Sequence, residues 1–205
     1  VFAATMTLKL PRRVAAVTSK ASRAERDEMS APEIIRAGVA MSSLRATGGF
    51  MMLHLAFWLR NEKAGLAWFA FALAIGSAST LLANSIGAPL TRKLNHHTIL
   101  VCSMMVIAAV GIGSAIVGSI TAGIVLAGVV NGFGAIGKLA FDSIIQQHAP
   151  DANRSRVFAQ YETRNQLFQV AGGLLAVLFV PSGAVGFAFV GAYAAIATAY
   201  YAFKY

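Results

Sequence analysis

The feature that most constrains this sequence is the spacing of its charges. Residues 94–137 form a run of 44 without Asp, Glu, Lys or Arg, residues 165–203 a run of 39, and residues 64–91 a run of 28. A helix that crosses a bilayer needs about 20 predominantly apolar residues, with a range of roughly 17–25. The shortest run therefore accommodates one crossing, and each longer run accommodates two, folded back on themselves. Turn chemistry marks the folds: Gly118-Ser119-Ile120-Thr121 in one run and Pro181-Ser182-Gly183 in the other.

Composition agrees. The chain has 205 residues, 57% hydrophobic and 12% charged, whereas soluble domains carry roughly 25% charged residues. A soluble domain of this size lacks the polar side chains to cover such a core, and disorder requires the opposite balance. Continuous apolar runs favour helices over a barrel, whose strands alternate polar and apolar residues. The expected fold is an all-α integral membrane protein with six spans near 44–60, 66–88, 98–118, 121–147, 157–180 and 183–203.

Residues 1–8 read as the end of a preceding membrane helix, 9–43 as an interdomain linker and 44–205 as the six-helix bundle. The chain is thus expected to belong to a longer polypeptide, and no signal peptide is recognisable. In the linker, Ser30-Ala31-Pro32-Glu33 matches a capping box. The apolar face Ile34, Ile35, Gly38, Val39 and Met41 follows it. The pattern suits a short amphipathic helix on the membrane surface or a helical extension of the next span.

The six-span layout sorts the basic residues. Fourteen of the 17 Lys and Arg fall on the side of the linker and C-terminus, two (Arg60 and Lys63) on the other, and Lys138 lies inside a span. The positive-inside rule makes the linker and C-terminus cytoplasmic, in a plasma (inner) membrane. The net charge of +9 then suits anionic lipid headgroups and gives no reason to invoke nucleic acid, because it is spread over membrane-flanking loops. Cys102 is the only cysteine, so no disulfide framework or cysteine metal site is expected, and no cofactor. His96 and His97 read as solvated loop residues.

Polar residues at membrane depth are the candidate functional groups. Lys138 and Asp142 stand four apart on one helix face, with Glu162 and Arg164 opening the next span on the same side. The pair can bind substrate or a coupled proton, can form a cytoplasmic gate, or can be a static helix-end pairing. His54 is either a proton carrier or substrate contact, or a hydrogen-bonded packing residue. Asn84, Asn131, Gln166 and Gln169 can hydrogen-bond between helices, while Gln166 and Gln169 can also face a central cavity. Gly123, Gly128, Gly132, Gly134 and Gly137 crowd one span, and the Gly128–Gly132 spacing suits close helix packing.

The stretch Pro150-Asp151-Ala152-Asn153-Arg154-Ser155-Arg156-Val157-Phe158-Ala159 resembles the loop and helix start between the tenth and eleventh helices of bacterial exporters of the major facilitator superfamily. Gly87-Ala88-Pro89-Leu90-Thr91-Arg92-Lys93 is similar to that family's glycine-to-basic loop motif, with Thr91 where an acid is often found. Over essentially the whole chain, the layout resembles the C-terminal six-helix half of such a transporter, itself an inverted repeat of three helices and three. The resemblance implies a secondary active transporter, exporter-like, moving a small solute by alternating access. Its partner is an N-terminal six-helix half. Protons are the expected coupling ion, on the resemblance and on His54 and Asp142, and no nucleotide-binding loop is present. Arg92, Lys93, Arg154, Arg156, Glu162 and Arg164 form the expected gating or cytoplasmic charge network. The alternative is a non-transporting membrane scaffold. An enzyme is not expected: Ser114, Ser119 and His54 lack a nucleophile elbow.

Overall fold

A computed structural model of the chain describes residues 31–149, 154–179 and 182–204. The expected helix end at 1–8, most of the linker, Ser30 of the capping box and residues 150–153 of the loop motif lie outside these residues. Among the described residues six helices form: α1 (Pro32–Asn61), α2 (Leu66–Lys93), α3 (His96–Val117), α4 (Ile120–His148), α5 (Arg154–Phe179) and α6 (Gly183–Lys204). No cis peptide bond occurs among the described residues.

Local chemistry sets the breaks. Between α3 and α4, Gly118 takes a left-handed backbone conformation (φ 63°) and Ser119 caps α4 by accepting the Ala122 amide at 3.1 Å. Asn95 caps α3 in the same way, accepting the His97 amide at 2.9 Å. Lys63 (φ 52°) and Gly65 (φ 82°) reverse the chain between α1 and α2. At the other end of α1 the cap residue is Ala31, which offers no side-chain acceptor, and Pro32 opens the helix. From there α1 continues unbroken to Asn61, so residues 32–43 share one helix with the first expected span.

Among the described residues, four helical segments are long and apolar enough to cross a membrane: Leu66–Lys93, His96–Val117, Ile120–His148 and Gly183–Phe203. Their apolar surface points outward as well as inward. Only 17% of the most apolar stretch of α2 is buried, and Leu66, Phe71, Leu81, Leu82 and Ile86 are all exposed on it. So much outward apolar area suits lipid rather than water. The chain is thus an all-helical protein with the helices of a multi-pass membrane protein.

The packing has an internal order. Helix α1 packs against α5, α2 against α4, and α3 against α6; α4 also contacts α1 and α3, and α1 contacts α6. Exchanging α1 with α4, α2 with α5 and α3 with α6 turns this scheme into itself. The α1–α5 contact becomes α4–α2, α3–α4 becomes α6–α1, and the α3–α6 and α1–α4 contacts map onto themselves. Three helices and the next three thus hold equivalent places, with α1 and α4 at the centre.

Glycine makes the tightest crossings. A side chain at Gly49 on α1 would strike the Gln169 carbonyl of α5, and one at Gly172 would strike the Ala46 carbonyl of α1. Gly111 on α3 and Gly191 on α6 meet backbone to backbone, where an added Cβ would lie 2.7 Å from the opposing chain. Gly128 and Gly132 of the expected packing pair both face α2, against Ile75 and Ser79.

Candidate functional site

Helices α1, α2 and α4, with Gln169 of α5, enclose a cleft of about 700 Å³. Its walls are apolar where Met41, Met51, Met52, Phe69 and Leu73 meet, and polar at Arg45, Asn84, Asn131, Lys138, Asp142 and Gln169. Methionine-rich walls adapt to different apolar shapes because the side chain is unbranched and polarizable.

At the polar end, charges from three helices converge. Lys138 Nζ donates to both Asp142 carboxylate oxygens, at 3.3 and 3.2 Å, and reaches Glu162 Oε2 of α5 at 3.4 Å. Arg45 Nη2 of α1 approaches Glu162 Oε1 at 3.7 Å, and Gln166 Nε2 donates to that oxygen at 2.9 Å. Two basic side chains thus face two carboxyl side chains. Lys138 lies ten residues before the end of α4, about 15 Å along the axis, well inside the helix. A charge at such depth is costly unless it is paired or hydrated.

Arg164, expected beside Glu162, does not join this group. Two residues along a helix point to different faces, and its guanidinium lies over the Tyr161 ring, 4.5 Å from the centroid. Arg45 takes the fourth place.

The group leaves hydrogen-bonding capacity free. Among the described residues, Arg45 Nε and Gln169 Oε1 are buried without a hydrogen-bond partner. One is a donor and the other an acceptor, and both residues line the cleft. Asn131 Nδ2 bonds back to the Ala127 carbonyl of its own helix at 2.8 Å. Of the four expected interhelical amides, Asn84, Asn131 and Gln169 line the cleft, while Gln166 serves Glu162.

The other candidates lie elsewhere. His54 is 1% exposed, enclosed by Phe50, Trp58 and Phe187 with ring centroids 5.5, 6.4 and 5.7 Å away. That is a packing position outside the cleft lining. Arg92 and Lys93 line a second hollow, at the end of the bundle where α2 and α4 finish and α3 begins. Arg154 Nη2 braces the start of α5 by donating to the Gln146 carbonyl at 3.1 Å. Arg156 stands in the same first turn of α5. Of the expected charge network, only Glu162 therefore sits in the central group. Asp142 and Leu139 line both the cleft and the second hollow, so Asp142 stands where the two meet.

His97 corrects the solvated-loop reading. It is 8% exposed in the first turn of α3 and hydrogen-bonds the Tyr201 hydroxyl of α6. Ser114 and Ser119 are both committed to the α3–α4 turn, Ser114 Oγ donating to the Ala122 carbonyl at 3.2 Å. No group of three or more His, Cys, Asp or Glu that could hold a metal ion occurs among the described residues. Comparison with models of protein families, with curated proteins and with solved structures finds no match to this chain.

Proposed function

We propose that this chain is one half of a secondary active transporter of the major facilitator type, moving a small solute by alternating access. The observation that carries the reading is the ion group at the end of the cleft. Lys138, Asp142, Glu162 and Arg45 tie three helices together through contacts of 3.2–3.7 Å. Ion pairs between helices are two-state ties: they hold one arrangement and release it when a competing charge or a proton replaces a partner. The polar side chains of Arg45, Asn84, Asn131 and Gln169 in the cleft lining are suitable contacts for a solute.

The packing scheme supports the same reading, because equivalent halves of three helices are the architecture on which rocking motions are built. In this proposal all six helices cross the membrane. The basic end, with Arg36, Arg92, Lys93 and Arg154, is cytoplasmic by the positive-inside rule. A second six-helix bundle covers the cleft. Coupling is to protons and transport runs outward, with Asp142 the carboxyl placed to exchange a proton.

A substrate-independent experiment tests this. In the full-length polypeptide with Cys102→Ser, Ser77→Cys and Thr80→Cys would be challenged with a membrane-impermeant thiol reagent from each side in vesicles of both orientations. Both residues line the cleft. Labelling from both sides is the expected result. Labelling from one side only, or from neither, would overturn alternating access and favour the non-transporting scaffold.

A further inference from the structure

The second hollow has a chemistry of its own. It measures about 1040 Å³ and is built where α2 ends, α3 begins, α4 ends and α1 starts. Three fixed cations line it: Arg36 from α1, and Arg92 and Lys93 from the last turn of α2. His96, His97 and His148 add three ring systems. The carboxylates in its lining are Glu33 and Asp142, and Asp142 is held by Lys138 at 3.2 Å. Three cations against one remaining acid leave the hollow positive before any histidine is protonated.

Two further features suit an anion. His96 and His97 belong to the first turn of α3, so the positive end of a 22-residue helix borders the hollow. Thr91 and Ser143 donate their hydroxyl protons to the Ala88 and Leu139 carbonyls, so the neutral donors around it are the side-chain amides of Asn95 and Gln147. Its position is equally telling. Lys93, His96 and His148 are the end residues of three helices long and apolar enough to cross a membrane, so the hollow opens at the level where headgroup phosphates lie.

We infer that this hollow is a binding site for a phosphate-bearing anion, with Arg36, Arg92 and Lys93 as the charged contacts. Arginine grips phosphate oxygens with two parallel N–H groups, while the lysine ammonium adds a point charge. The hollow suits the phosphodiester of an anionic lipid, and the same donors hold a soluble phosphate. Occupancy there fixes the α2–α3 turn against the ends of α1 and α4, next to Asp142. The inference needs only that these helices cross a membrane and does not require transport.

The test uses the purified full-length polypeptide in detergent, with short-chain phosphatidylglycerol, short-chain phosphatidylcholine and inorganic phosphate as probes. Binding is read by native mass spectrometry and by the shift in thermal midpoint. Phosphatidylglycerol is expected to bind at least tenfold more tightly than phosphatidylcholine. The Arg92→Gln/Lys93→Gln variant is expected to erase that preference. Arg92→Lys/Lys93→Arg, which keeps the charge, and Arg60→Gln/Lys63→Gln at the opposite end are expected to retain it. A midpoint shift with inorganic phosphate that needs Arg92 and Lys93 supports the site and assigns it to a soluble anion. The inference is overturned if neither anion distinguishes Arg92→Gln/Lys93→Gln from the parent, or if Arg60→Gln/Lys63→Gln weakens binding equally.

Discussion

Lys138 and Asp142, one turn apart on α4, close a 3.2 Å ion pair, and the same lysine reaches Glu162 on α5 at 3.4 Å. The i,i+4 contact alone would be an ordinary helix-surface pair. The second contact makes it a tie between helices, and Arg45 extends the tie to α1. The Lys138 and Asp142 side chains remain 39% and 25% exposed in the cleft, so their pairing contributes at most about 1 kcal/mol to stability.

That small structural value separates two roles. Lys138→Ala and Asp142→Asn are each expected to shift folding stability by no more than about 1 kcal/mol. Each is expected to lower transport by about tenfold or more, the equivalent of roughly 1.4 kcal/mol in the transport barrier. The double variant is expected to remain impaired, because a gate or solute contact needs the charges themselves. Uptake or efflux in vesicles with each variant checks this, alongside thermal melts. Unchanged transport in both single variants would remove the pair from the mechanism, and full recovery in the double variant would reduce it to static pairing.

The α1–α5 crossing carries a stability prediction. The Gly172 Cα faces the Ala46 carbonyl so closely that a methyl has no room without backbone movement. Gly172→Ala is expected to cost about 1–3 kcal/mol, the range for overpacking a well-filled interface. Gly113→Ala on α3, where an added Cβ meets nothing within 4 Å, is expected to be neutral or to stabilise by up to about 1 kcal/mol. Thermal midpoints of the two variants in the same detergent give the comparison, and equal midpoints would contradict the close crossing.

The same crossing contains a buried hydrogen bond from Ser42 Oγ to Asn165 Oδ1, 2.9 Å long. Ser42→Ala would leave the asparagine oxygen without that donor, at an expected cost of about 1–3 kcal/mol. Asn165→Leu combined with Ser42→Ala is expected to recover part of the loss, since removing both polar groups leaves neither orphaned. A double-mutant cycle on denaturation midpoints measures the coupling; a value near zero would mean the bond contributes nothing.

The helices and their breaks were legible because charge avoidance and turn chemistry are local properties. Gly118 and Ser119, picked out as a turn, adopt the left-handed and capping conformations that end α3 and start α4. Lys138, Asp142, Asn131 and Gln169 were legible as candidates because polar groups are conspicuous in apolar runs, and all four line the cleft. Arg45 was not. As the second residue of the expected span at 44–60 it counts only among the cytoplasmic-side charges, whereas α1 begins at Pro32, 13 residues before Arg45 and about 20 Å away along the axis. His97 was misread for a related reason: a histidine pair between two apolar runs looks like loop, yet α3 begins at His96 and turns the second ring towards Tyr201. The pairing of Ser42 with Asn165 spans 123 positions, a relation that no local pattern encodes.

His54 provides the sharpest test of the proposed proton route. Its ring stacks on Phe50 and Trp58 and meets Phe187 edge to face. A side chain at Gly186 would collide with it. Its Nε2 is buried with no hydrogen-bond partner among the described residues, and the ring's one polar neighbour of note is the Gly183 backbone. A proton carrier needs a path of water or polar groups on both sides, and aromatic rings supply none. His54→Phe keeps a flat ring of similar size and removes the orphaned polar atom. It is therefore expected to leave stability unchanged or raise it by up to about 1 kcal/mol, and to leave the pH dependence of transport as it was. Asp142→Asn is expected to abolish that pH dependence. A pH profile that shifts with His54→Phe and not with Asp142→Asn would transfer the proton's route from the cleft to the aromatic core.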